Sequence, residues 1–192
     1  MVNKRIEQIR TDALVAKSIH TKRLRVANAY KVTLSVLTII VPVLFLAAQY
    51  WGKSTCVESI INIAASIGSV LLLCLSIYAL IVAIEAKALK HTIGIKNNVY
   101  VASEALKLIN EEDEGKLNWF YTYVAEMDVV DADSLSDVKA EEKQTAYREA
   151  LMQLYPGDNT VACPICGASP FKYQKGGCQV CGNTPIERRE PK

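Results

Sequence analysis

Four cysteines near the C-terminus have the type and spacing of a metal site. The sequence runs Cys163-Pro-Ile-Cys166-Gly167 and, eleven residues after Cys166, Cys178-Gln-Val-Cys181-Gly182. Two residues between cysteines let each pair wrap one metal in a tight knuckle. The glycine after each pair relaxes the backbone so that amides can point at the sulfurs. Two knuckles supply four thiolates in a tetrahedron, the geometry of structural zinc. The spacing predicts one zinc per chain on Cys163, Cys166, Cys178 and Cys181, with iron in a rubredoxin-like site as the alternative. Four sulfur ligands leave no position for water or substrate, so the expected role is structural. A module spanning 160–184 is too small to fold on its own apolar core, and the metal should supply much of its stability. Phe171, Lys172 and Tyr173 are expected to form a strand between the knuckles, making a small zinc ribbon. Lys172, Lys175, Arg188 and Arg189 read as a solvated basic surface, or alternatively as a contact for nucleic acid or an acidic partner.

Other chemistry is sparse. There is no phosphate loop and no nucleophile motif, and His20 and His91 are the only histidines for general base work. The chain is expected not to be an enzyme. His20 itself reads as a polar interruption of an apolar stripe. Cys56 and Cys74 read as small apolar residues, with pairing of Cys56 between subunits as the alternative. A formal net charge of +2 argues against a strongly basic nucleic-acid binder.

Two uncharged runs, 32–51 and 60–84, dominate the organisation. About twenty helical residues cross a hydrocarbon layer of roughly 30 Å, and neither run alternates apolar with polar. The expected fold class is an all-α membrane protein: a two-helix transmembrane hairpin with cytoplasmic helices and the zinc ribbon. A pair of buried core helices in a soluble protein is the alternative. Residues 1–31 carry eight Lys or Arg, the loop 52–59 carries only Lys53, and Lys87, Lys90 and Lys96 follow the second run. Positive charge resists translocation, so both termini are expected in the cytoplasm. That compartment keeps thiols reduced, in keeping with a metal site.

Within the first run, Pro42 removes a backbone hydrogen bond and predicts a kink. On the second, Asn62, Ser66, Ser69 and Ser76 share a helical face, with Gly68 in a small-xxx-small pair with Ala64 beside it. Such faces pack helices in lipid, either within the hairpin or between subunits around a weakly polar pore. No ionisable residue lies in either run, which argues against a proton relay.

The flanking regions read as helices. Val2, Ile6, Ile9, Ala13 and Ala16 share one face of a basic helix over 1–31, with His20, Ala27 and Tyr30 extending the line. It is expected to be either a subunit-assembling stalk or a helix lying on anionic lipid. The cytoplasmic helical region is 85–155. Residues 85–93 should continue the second span, Gly94 and Asn97–Asn98 should break or cap it, and 99–110 should form another helix. Residues 117–127 follow, with Leu117, Phe120, Tyr121 and Val124 on one face. Asp128, Asp131, Asp133 and Asp137 read as a solvated linker before a last helix from Ser136 to Tyr155.

A basic helix ending in Lys-Arg-Leu-Arg-Val-Ala-Asn-Ala-Tyr-Lys (22–31), two spans with a very short loop, and cytoplasmic helices including Thr-Ala-Tyr-Arg-Glu-Ala-Leu (145–151) together resemble the SLATT group of bacterial two-span membrane proteins. The cysteine spacing resembles zinc-motif proteins encoded on mobile elements. The resemblance implies a homo-oligomeric effector in the bacterial inner membrane that disrupts or depolarises the bilayer in anti-phage defence, by abortive infection. It implies as partners the lipid bilayer and a cytoplasmic sensor protein or nucleotide signal. The alternative is a membrane-anchored zinc-ribbon adaptor that binds a protein or nucleic acid.

Overall fold

The computed structural model describes residues 2–52 and 58–186. Five helices follow in order: α1 Val2–Gly52, α2 Glu58–Val82, α3 Ile84–Leu108, α4 Glu114–Ser134 and α5 Ala140–Leu154. No strand occurs among the described residues. Of the expected loop 52–59, Gly52 ends α1 and Glu58 and Ser59 open α2, while 53–57, with Lys53 and Cys56, lies outside the described residues, as do Arg188 and Arg189.

Contacts divide the chain into two compact units. The first joins Met1–Lys22 to Lys90–Lys192, and the second is Arg23–Leu89. In the first, Ile6, Ala13 and Leu14 of α1 pack with Val101, Ala102, Ala105 and Leu108 of α3, Leu117, Phe120 and Val124 of α4, and Ala150 of α5. Alanines at the contacts let helix axes approach closely. Phe120 is fully buried, which is worth about 2–3 kcal/mol relative to exposure. Asp113 caps α4 by accepting from the amides of Gly115 and Lys116, at 2.8 and 3.2 Å.

The N-terminal stripe is therefore neither a free stalk nor a lipid-facing surface over Ile6 to His20. It is buried against helices of its own chain. His20 is not a mere interruption: it is 0% exposed. Its Nδ1 lies 2.9 Å from Nδ1 of His91 and its Nε2 lies 3.1 Å from Oδ1 of Asp131. A carboxylate only accepts, so Nε2 of His20 donates to Asp131. Asn98, also buried, donates to Asp131 Oδ2 at 2.6 Å and to the Gly94 carbonyl at 2.9 Å.

This network corrects two further expectations. Gly94 and Asn98 do not break the helix, because α3 runs through both; the interruption falls at Ala83, whose φ is 49°. The Asn98 amide is used in the core rather than competing for the backbone. The acidic stretch is not a linker either. Asp128, Asp131 and Asp133 are helical, with Asp131 turned inward and Asp133 paired with Lys90 on the surface. The last helix begins at Ala140, after buried Val138, rather than at Ser136.

In the second unit, α1 continues through Pro42 without leaving helix. Val2–Leu44 and Ser59–Tyr78 are long and apolar enough to cross a membrane, with best-window mean hydropathies of 1.6 and 2.3. Their windows are 0% and 6% buried, so the chain itself leaves this apolar surface uncovered. A core helix of a soluble protein would be mostly buried. A cleft of about 440 Å³ between α1 and α2 is lined by residues that include Leu34, Leu37, Thr38, Leu72, Leu75 and Ser76.

Candidate metal centre

The four cysteines expected to ligate a metal are brought together. Their sulfurs all lie within 4.8 Å of one another, and all four residues are buried. Sγ of Cys166 and Cys181 are 3.4 Å apart. A tetrahedral ion with bonds of about 2.3 Å to sulfur needs edges of about 3.8 Å, so the cluster fits with small adjustments.

Local backbone chemistry explains why each knuckle forms. In the first, the Gly167 amide donates to the Cys163 carbonyl at 2.8 Å; in the second, the Gly182 amide donates to the Cys178 carbonyl at 2.9 Å. Both glycines have positive φ, 72° and 69°, which side chains with a Cβ rarely adopt. The two turns are thus built alike.

The expected strand at Phe171–Tyr173 is absent. One isolated bridge pairs Lys175 with Asn183, and the surrounding bonds run from Gly176 to the Gly182 carbonyl and from Thr184 to the Gln174 carbonyl. The amides of Phe171 and Lys172 instead turn back to Ser169, donating to its Oγ and its carbonyl at 3.3 Å each. Buried Asn183 joins the knuckles instead. Its Nδ2 donates to the Ser169 carbonyl at 3.1 Å, and its Oδ1 accepts from the Gln174 amide at 2.6 Å.

Electrostatics within the cluster are divided. Burial would push the Cys178 thiol up, but the amides of Cys181 and Val180 turned toward its sulfur bring it down to about 7. Cys166 and Cys181 are raised, mainly by burial, with the sulfurs of Cys163 and Cys178 adding to it in both. Four buried thiolates repel one another unless a cation sits among them, which is the service a metal ion supplies.

Sequence reasoning did not find the residues that anchor this site. Buried Arg148 of α5 donates to the Cys181 carbonyl, and its guanidinium lies 3.8 Å from the centroid of the Tyr173 ring. Gln144 donates to the carbonyls of Cys178 and Gln179 at 3.3 and 3.4 Å. Tyr147 and Leu151 pack into the cysteine cluster, and burial pushes the Tyr147 phenol up to about 12. An Arg and a Tyr side by side on a helix carry no signal until the knuckle is docked on them. Lys172 and Lys175 are exposed, and Lys175 lies 3.7 Å from Glu141.

The residues expected on the second apolar helix are placed differently. Asn62, Ser66, Ser69 and Ser76 are exposed, while Ile61, Ala65, Gly68 and Leu72 are less exposed. A Cβ added at Gly68 would meet no atom within 4 Å. Pro42 and Cys74 are exposed.

No curated protein and no solved structure matches this chain. A family model described as mobilome CxxCx(11)CxxC protein matches residues 3–184, a span that includes the helices as well as both knuckles. The spacing in that description is the one from Cys163 to Cys181, and the chain belongs to the mobilome CxxCx(11)CxxC family.

Proposed function

We propose that this chain is a non-enzymatic, oligomeric effector of the bacterial inner membrane, which depolarises the membrane in anti-phage defence. The observation that carries the membrane part is the uncovered apolar surface of the two long helices. Uncovered apolar area of that size is costly in water and is satisfied by lipid. The bias of basic residues to one side of the spans orients both termini to the cytoplasm. The SLATT resemblance supplies the defence role, and a mobile-element family is in keeping with it. The metal is zinc, held by Cys163, Cys166, Cys178 and Cys181 as a structural ion.

Oligomerisation is supported by α2. Its Asn62–Ser66–Ser69 face is exposed rather than used inside the hairpin, and Gly68 has open space above it. Small and polar residues facing lipid are the groups through which membrane helices associate. Neighbouring copies would cover this face and place the polar groups around a path for ions.

Two measurements test the reading. Reporter fusions at Lys192 and within 52–59 should report a cytoplasmic C-terminus and a translocated loop. A translocated C-terminus contradicts the orientation. Induced expression with a membrane-potential dye should show depolarisation. Gly68→Leu should abolish it by blocking helix approach, with little effect on the fold of the single chain. Asn62→Leu keeps a similar volume and removes polarity, so it should reduce depolarisation with assembly intact. Full activity in Asn62→Leu means the face packs helices and lines no pore. A wild-type protein that never alters the potential, even beside its neighbouring genes during infection, favours the membrane-anchored adaptor instead.

A further inference from the structure

Helix α5 stands between the second knuckle and α1, and adjacent residues fasten it to each. Toward the knuckle, Arg148 holds the Cys181 carbonyl and stacks on Tyr173, while Gln144 reaches the Cys178 and Gln179 carbonyls. Toward α1, Glu149 accepts from Ser18 Oγ and from Lys22 Nζ, each at 2.6 Å. Burial opposes ionisation of Glu149, but these two partners outweigh it and hold its carboxyl below the usual range. Apolar contacts follow the same line. Ala146 of α5 packs with Ile19 of α1, and Val15 touches both that cluster and the cysteine cluster.

The carbonyls that α5 holds belong to the knuckle turn itself. Their positions are fixed by the Gly182–Cys178 bond and by the left-handed backbone at Gly182. Alanine at Gly182 would also bring a Cβ within 2.6 Å of Gln144 Oε1, so the α5 contact is fitted to that turn. If the sulfurs are not gathered, the turn opens and the buried Arg148 guanidinium loses the Cys181 carbonyl, keeping Thr145 Oγ1 at 3.2 Å. Removing a hydrogen-bond partner from a buried charge is costly, so α5 has reason to shift rather than stay.

We propose that α5 is a metal-dependent latch on α1. Arg148 and Gln144 keep α5 seated while Cys178 and Cys181 are held, and Glu149 passes that seating to Ser18 and Lys22. Ser18 and Lys22 lie on the part of α1 that belongs to the first unit, and the coupling is between α5 and that segment. Arg148 is a positioning residue, acting through the Cys181 carbonyl. The inference rests on the metal-binding reading and is independent of depolarisation.

Hydrogen exchange on the full-length protein in detergent tests it, with metal content measured on the same samples. In the wild type, chelation should raise exchange in 140–154 and 11–22 about tenfold or more, with 114–127 in α4 unchanged. Arg148→Met should still bind one metal per chain, yet exchange in 140–154 should already stand at the chelated level. Chelation confined to 160–186, uniform loosening that includes α4, or an Arg148→Met protein as protected as the loaded wild type would each overturn the latch. If Arg148→Met does not fold, Glu149→Gln serves. The response of 11–22 to chelation should then fall by at least half, and an undiminished response overturns the proposal. Wild-type protein that never carries metal defeats the metal-binding reading itself, whereas metal without coupling defeats the latch alone.

Discussion

Replacing Cys178 and Cys181 together by serine is expected to strip the protein of metal, from about one ion per chain to less than about a tenth. The remaining thiols, Cys163 and Cys166, form one knuckle and supply two ligands, too few to close a tetrahedral site. Serine is nearly isosteric, so the change tests ligation rather than volume. Elemental analysis of protein purified without added metal is the measurement, and full retention would reject the assignment. The loss should extend beyond the ion. Binding free energy of a structural metal is folding free energy, with apparent values of about 10–16 kcal/mol in isolated zinc-finger peptides near neutral pH. In this chain part of that energy is shared with α5, because Arg148, Tyr147 and Leu151 pack on the knuckle. Residues 160–186 should therefore become protease-sensitive in the double variant, together with 140–154, while 114–127 in α4 stays protected.

The cysteine cluster was legible because a four-thiolate site needs one residue type at a fixed local spacing, and both knuckles close within five residues. The long helices were legible for a similar reason, since an uncharged run of twenty residues has few other uses. What surrounds these features was not legible. His20 meets Asp131 across 111 residues of sequence and Asn98 meets it across 33, and each looks like a blemish in its own helix until the partner is placed. Charge density misled at Asp128 to Asp133, where a helix with exposed acids and one inward carboxylate has the composition of a linker; Asp137 does lie between helices. Gly94 misled in the opposite direction. A glycine in a helical pattern suggests an end, but here it makes room for a ring from another helix. The strand between the knuckles failed because the amides of Phe171 and Lys172 fold back in a turn onto Ser169.

Gly94 accordingly gives the second large effect. A Cβ there would lie 2.6 Å from Cε1 and Nε2 of His20 and 2.8 Å from its Cδ2. The ring cannot swing aside cheaply. It is 0% exposed, and both of its nitrogens are engaged, one by His91 and the other by Asp131. In an open helix interior, glycine to alanine gains up to about 1 kcal/mol. At Gly94 the sign should reverse, because overpacking a fixed core typically costs about 1–3 kcal/mol and the ring movement also breaks hydrogen bonds. Gly94→Val should lose about 3 kcal/mol, lowering Tm of the full-length protein by roughly 10 °C. Gly68→Ala is the internal comparison, since nothing lies within 4 Å of its Cβ and its effect should be small or favourable. His20→Ala should cost stability on its own, by leaving Asp131 and His91 without their shared partner. Combined with Gly94→Val it should cost less than the two single losses added, by at least about 1 kcal/mol, because the valine then enters the space the ring vacates. Strictly additive losses would mean that α1 and α3 do not meet through this pair, and the core of the first unit would have to be drawn differently.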